Sequence, residues 1–179
     1  MTTTERPDLV ARAGALVQDV PDYPQPGVVF KDITPLLADG PTLRAVVQHM
    51  AARAPGPIDL VVGMEARGFI LGAPVAVELG AGFIPVRKAG KLPREVLAGA
   101  YELEYGSAVL EVHPDTIHEG SRVLVVDDVL ATGGTAAATV ALLEKAGGVV
   151  VGLSFLMELT FLGGRAKLDD RRLDVLLTY

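Results

Sequence analysis

Short runs of β-branched and other apolar residues alternate along the chain with longer segments whose apolar positions recur every three to four residues. The first kind predicts strands over residues 58–62, 82–86, 121–126, 148–155 and 175–179. The second predicts helices over 9–20, 41–53, 68–79 and 135–145. Pro41 suits the first turn of its helix, where a missing N–H costs nothing. The continuous apolar run 123–126 has the character of a strand covered on both faces, as in a parallel sheet. This strand–helix succession predicts an α/β fold: an open, mainly parallel twisted sheet with flanking helices and right-handed crossovers. Two stretches depart from it. Residues 21–35 are rich in Pro and Gly and read as irregular. Residues 88–114 begin with Gly, Lys and Pro and continue as two short alternating runs, which predicts a mobile lid loop and an antiparallel hairpin standing off the sheet.

Composition narrows the class without fixing the chemistry. The 179 residues are half hydrophobic, enough for one domain with a substantial core and with no linker or repeat to divide it. The net charge of −6 argues against a general nucleic-acid binder. The absence of cysteine excludes disulfides and thiolate metal sites. No apolar run approaches the roughly 18 residues of a membrane span, and the polar first residues lack a signal core. A soluble cytoplasmic protein that does not engage membranes is the simplest expectation. His49, His113 and His118 show no ligating arrangement and are expected to be surface or partly buried side chains.

The densest chemistry lies in residues 122–135, RVLVVDDVLATGGT. Asp127 and Asp128 stand where the apolar run ends, and open α/β sheets bind ligands beyond the carboxyl ends of their strands. Ala131, Thr132, Gly133, Gly134 and Thr135 follow at once. They are small enough for backbone N–H groups and two hydroxyls to converge on an anion at a helix start. No Lys follows the second glycine, so this is not a Walker A loop, and the spacing does not fit the dinucleotide G-x-G-x-x-G pattern. Two carboxylates beside a phosphate cradle need partners other than phosphate; vicinal hydroxyls or a hydrated Mg²⁺ supply them. A ribose 5-phosphate satisfies both halves. The alternative is a tight turn whose Asp residues merely cap the next helix.

A second turn, GMEARGF at 63–69, also lies between a strand and a helix. Its Arg67 has the donors to grip a diphosphate, with Glu65 and Ala66 beside it. Alone it would read as an ordinary β–α turn carrying a surface Arg–Glu pair. Arg87, Lys88 and Lys91 concentrate positive charge at or just after the end of another strand, where a departing diphosphate would need it. Such a cluster is more commonly a solvated face.

Taken together, VLVVDDVLATGGT resembles the phosphoribosyl-diphosphate motif of the type I phosphoribosyltransferases. Three further segments resemble the adenine-using members of that family: PQPGVVFKDITP at 24–35, GMEARGF at 63–69 and RKAGKLPREVLAGAYELEYG at 87–106. The resemblance runs from about residue 16 to residue 179. It implies transfer of a 5-phosphoribosyl group from phosphoribosyl diphosphate to adenine, giving AMP and diphosphate, with Mg²⁺ carried mainly on the substrate and held at most through water by Asp127 and Asp128. It implies a cis non-proline peptide in the 63–68 turn. It makes residues 1–35 a helix and base-binding hood, with Val29, Phe30, Lys31 and Leu130 around the purine. It makes Arg87, Lys88 and Lys91 diphosphate ligands, some reaching across a homodimer. Glu104 becomes the group that handles the purine ring proton from a closing lid, beside Tyr105. By pattern alone these two would be solvent-facing hairpin residues. Two alternatives stay open: transfer to a 6-oxopurine, and a non-catalytic sensor of phosphoribosyl diphosphate.

Overall fold

The computed structural model describes residues 5–102, 107–168 and 171–179. Helix α1 (Glu5–Ala15) leads into a two-stranded antiparallel ribbon, β1 (Gln18–Pro21) with β2 (Val29–Asp32). The helix expected over 9–20 therefore stops at Ala15, and Val20 pairs with Phe30 across the ribbon. A short helix α2 (Thr34–Ala38), absent from the sequence reading, runs straight into α3 (Gly40–Arg53). The junction is built from Asp39, whose carboxylate accepts from the Thr42 N–H at 2.8 Å and caps α3, with Pro41 in the first turn.

The main sheet contains β3 (Leu60–Met64), β4 (Gly82–Lys88), β5 (Leu97–Glu102), β6 (Ser107–Val112), β7 (Arg122–Leu130), β8 (Val149–Glu158) and β9 (Leu173–Thr178), in the order β5-β6-β4-β3-β7-β8-β9. The five strands from β4 to β9 pair in parallel, as the apolar runs predict. Alternation along each strand feeds two cores. Val61, Leu124 and Val126 pack under α1, α3 and α4 (Arg67–Leu79); Val62, Val123 and Val125 pack under α5 (Gly134–Lys145).

Two differences from the sequence reading have physical causes. The β5–β6 hairpin does not stand off the sheet: Arg87 pairs with Glu111 and Lys88 with Leu110, and Leu110 and Val112 enter the second core. A Cβ at Gly99 would lie 3.4 Å from Leu142 of α5, so the glycine lets β5 lie against that helix. His49 is buried rather than surface-lying. Its Nε2 is 3.4 Å from Asp174, which also accepts from Arg53 Nε at 2.9 Å. Burial works to raise the Asp174 carboxyl, but the adjacent His49 ring and the hydrogen bond from Arg53 outweigh it and hold it below its ordinary value.

The chain leaves β3 for β4 on one side and β7 for β8 on the other, so the strand order reverses between β3 and β7. The carboxyl ends of strands flanking such a reversal diverge and open a crevice.

Candidate active site

That crevice is a cleft of about 400 Å³ lined by residues at and beyond the carboxyl ends of β3, β4 and β7, a size suited to a small ligand. Glu65, Ala66, Arg67, Lys88, Asp127, Asp128, Leu130 and all of residues 131–135 face it. Two helices begin at its wall, and neither N-cap residue, Ala66 of α4 nor Gly133 of α5, contributes a side-chain cap. The first-turn N–H groups and the positive ends of both helix dipoles are thus directed at whatever anion enters.

The glycines set the spacing. Gly133 has φ +77°, and a Cβ there would collide with the carbonyl oxygen of Gly164. Gly68 leaves room for Asp127, since a Cβ would come within 2.8 Å of its Oδ1 and 2.9 Å of the Val126 carbonyl. The Glu65–Ala66 peptide is cis, as the resemblance implies.

The sequence reading ended the strand at Val126, but β7 continues through Leu130, with Asp127, Val129 and Leu130 in register with Phe155, Met157 and Glu158. The acids are therefore carried on a paired strand, which holds them more rigidly than a loop would. Asp128 is buried and Arg67 Nε reaches its Oδ2 at 2.8 Å. The same guanidinium lies 4.9 Å from the centre of the Phe30 ring. One arginine thereby connects the 63–68 turn, the acid pair and the N-terminal ribbon.

Asp127 has the unusual electrostatics. Burial first, and then the charge of Asp128, pushes its carboxyl well above the ordinary 3.8, against a hydrogen bond from the Asp128 N–H to Oδ1 at 2.9 Å. A carboxyl raised in the folded state contributes stability that is present below 3.8 and lost as pH rises through the folded-state value. Asp127→Asn keeps an oxygen acceptor and removes the titration. The difference in Tm between variant and wild type should move in the variant's favour as pH rises above about 4. A difference that stays flat with pH would contradict the assignment.

Glu65 behaves in the opposite sense. It is held down to about 2 by the hydrogen bond from Lys91 first, with burial opposing and the Lys88 N–H and Arg87 adding to the effect. Lys91 Nζ lies 2.5 Å, Lys88 N 3.1 Å and Arg87 Nη2 3.3 Å from its carboxylate. Of the three predicted cations only Lys88 lines the cleft; Arg87 and Lys91 are gathered at its rim by Glu65.

The predicted base segment is less directly placed. Val29 is exposed, and Val29, Phe30 and Lys31 are outside the cleft wall, although Phe30 meets Arg67 and packs edge-on against Tyr23 at 5.2 Å. The Lys31 ammonium is engaged elsewhere, 2.6 Å from Asp19 and 4.1 Å from the centre of the Tyr179 ring. Leu130 lines the cleft as expected. Glu104 and Tyr105 lie outside the described residues. The sequence reading missed Met64, Ala108, Leu110, Val129 and Phe155, which complete the apolar part of the wall, and Gly164 behind it. Their apolar character gave no signal apart from the core, and only the Gly163–Gly164 pair marked a turn. Among the described residues no cluster of three or more His, Cys, Asp or Glu could hold a metal by itself, and no helix is long and apolar enough to cross a membrane.

Residues 53–175 match the family model described as a phosphoribosyl transferase domain. Over 163 residues the sequence is 63% identical to the adenine phosphoribosyltransferase of Thermobifida fusca, covering 90% of this chain and 93% of that protein. The crystal structure of adenine phosphoribosyltransferase from Rhodothermus marinus superposes with a TM-score of 0.92 at 47% identity, over 97% of this chain and 99% of that one. The Saccharomyces cerevisiae enzyme, complexed with an imino-altritol bisphosphate and adenine, superposes with a TM-score of 0.90 at 38% identity, over 96% of this chain and 99% of that one.

Proposed function

This chain belongs to the phosphoribosyltransferase family, and on that basis we propose how its cleft performs the reaction of the adenine phosphoribosyltransferases. The protein is a purine-salvage transferase: it moves the 5-phosphoribosyl group of phosphoribosyl diphosphate to adenine and yields AMP and diphosphate. The observation that carries this reading is the convergence of two uncapped helix starts, two acids and Arg67 on one crevice.

In this account the 5′-phosphate sits on residues 131–135, and Asp127 and Asp128 accept from the ribose hydroxyls. Arg67, Glu65, Ala66 and Lys88 surround the diphosphate, with Arg87 and Lys91 preassembled on Glu65 to meet it. As the purine ring nitrogen approaches C1, the bond from C1 to the diphosphate oxygen breaks and its electron pair leaves with diphosphate. Positive charge develops on the ribose, and the buried acid pair lies where it would stabilise that charge. Two adjacent carboxylates, with no third His, Cys, Asp or Glu clustered on them among the described residues, fit Mg²⁺ that arrives on the substrate and is held through water. When bound, the ion neutralises charge on the leaving diphosphate.

The purine lies between Leu130 and the 29–31 segment. With the Lys31 ammonium committed to Asp19 and Tyr179, that residue addresses the base through its main chain. Glu104 takes the ring proton, with Tyr105 beside it, from the connection between β5 and β6, while residues 1–35 form the hood of a single domain. Glu104→Gln should lower kcat by at least about tenfold with phosphoribosyl-diphosphate binding largely kept. Unchanged turnover would assign the proton to another group. The protein acts in the cytoplasm as a homodimer. Supporting the dimer, α4 exposes Ile70 and Val77 on one face, about two turns apart, with Val77 82% accessible. A strictly monomeric, fully active species in sedimentation would contradict it.

The function is tested by a panel of bases: protein, phosphoribosyl diphosphate and Mg²⁺ with adenine, hypoxanthine, guanine, xanthine or orotate, followed by chromatography of the nucleotides. AMP from adenine alone is the expected result. Product from a 6-oxo base would overturn the base assignment, and binding without product would indicate a sensor.

A further inference from the structure

The connection between β8 and β9 passes directly behind the phosphate loop. A Cβ at Gly164 would collide with the Ala131 carbonyl oxygen and come within 2.9 Å of the Gly133 nitrogen, so the two backbones are in contact. Three features fix this connection. Glu158, the last residue of β8, stands opposite Leu130, the last residue of β7, and the Leu159 N–H donates to the Leu130 carbonyl at 2.9 Å. Thr160 donates from its N–H and its hydroxyl to the Tyr179 carbonyl, at 2.9 and 2.8 Å. Arg165, next to Gly164, folds back on Glu158 in a two-pronged pair, Nε to Oε1 at 3.2 Å and Nη2 to Oε2 at 2.5 Å.

Glu158 is 5% exposed, whereas the Arg165 side chain is about half exposed. A buried carboxylate with a bidentate guanidinium partner has a defined geometry, and a carboxylate at the end of a central strand has a fixed origin. The pair therefore closes the 158–165 turn onto a rigid base and sets how far Gly164 advances toward residues 131–133.

We propose that the Glu158–Arg165 pair is a positioning element for the 5′-phosphate: it presses the Gly163–Gly164 turn against the phosphate loop and so fixes the N–H groups that receive the anion. Neither residue lines the cleft. The inference rests on the reading of residues 131–135 as the 5′-phosphate site. It separates the two anion sites of the cleft, because the 63–68 turn that faces diphosphate has no contact with the 158–165 turn among those that fix it.

The test uses Arg165→Met, which removes the charge and keeps the stem, and Glu158→Gln, which keeps the shape. Each is measured for the Kd of ribose 5-phosphate, the Kd of free diphosphate, and KM for both substrates. Affinity for ribose 5-phosphate and KM for phosphoribosyl diphosphate should worsen by about tenfold, while diphosphate affinity and KM for adenine stay within about twofold. Arg165→Lys, which restores the charge without the fork, should recover part of the loss. Unchanged ribose 5-phosphate affinity in either folded variant would overturn the proposal. So would equal losses for ribose 5-phosphate and diphosphate, which would mean general loosening. Wild-type protein that binds diphosphate and not ribose 5-phosphate would remove the phosphate-site reading itself.

Discussion

Gly133→Ala should lower kcat/KM for phosphoribosyl diphosphate by about a hundredfold or more. At φ +77° an alanine is strained by about 1–2 kcal/mol. Its Cβ would also be driven into the Gly164 carbonyl, and the obstacle is backbone, with no flexible side chain to yield. Overpacking of this kind costs about 1–3 kcal/mol. At about 1.4 kcal/mol per factor of ten, the sum spans roughly thirtyfold to several thousandfold if the loop bears it as lost phosphate geometry. The loss should fall on phosphoribosyl diphosphate and leave diphosphate binding at the 63–68 turn largely intact. Steady-state kinetics with diphosphate inhibition separates the two. A variant with near wild-type KM would show that the loop tolerates the shift and that its backbone geometry does not set the site.

Arg67→Ala is expected to be comparably severe, for a different reason. Arg67 satisfies Asp128 at 2.8 Å, lies over the Phe30 ring and faces the diphosphate side of the cleft. Its removal leaves two neighbouring carboxylates without their cation. Breaking a buried ion pair costs about 3–5 kcal/mol, a figure to be reduced here because a third of the Arg67 side chain is exposed. A fall in kcat/KM of about a hundred- to a thousandfold follows, with only partial recovery in Arg67→Lys, since an ammonium cannot both reach Asp128 and lie flat on an aromatic ring. Purine and sugar-phosphate affinities should fall together, because the one side chain serves both. If adenine KM were unchanged, the Phe30 contact would have no part in placing the base segment.

Much of this site was legible in the sequence because its chemistry is local. Asp127, Asp128 and the five small residues after Leu130 lie within nine positions, and strand, turn and helix each signal themselves in apolar spacing. The parallel sheet was legible for the same reason, since runs such as 123–126 are buried on both faces. What stayed hidden depends on contacts distant in sequence. The extension of β7 through two aspartates is set by pairing with β8, which overrides the low strand propensity of Asp. Residues 18–20 read as the end of a helix until β2 pairs with them. The hairpin's attachment comes from two residues at the end of β4. The engagement of the Lys31 ammonium was hidden for the same reason, since its partners, Asp19 and Tyr179, are brought to it only by the fold. Glu158 and Arg165 belong to no local motif, and their relation to the phosphate loop runs through Gly164, more than thirty positions beyond Ala131.

The measurement that bears most directly on this account is a crystal structure of the protein with AMP bound. The 5′-phosphate is expected within hydrogen-bond distance of the backbone N–H groups of residues 132–135, the ribose hydroxyls on Asp127 and Asp128, and the purine between Leu130 and Phe30. A phosphate seated instead on the 63–68 turn, with the ribose away from the two acids, would contradict it.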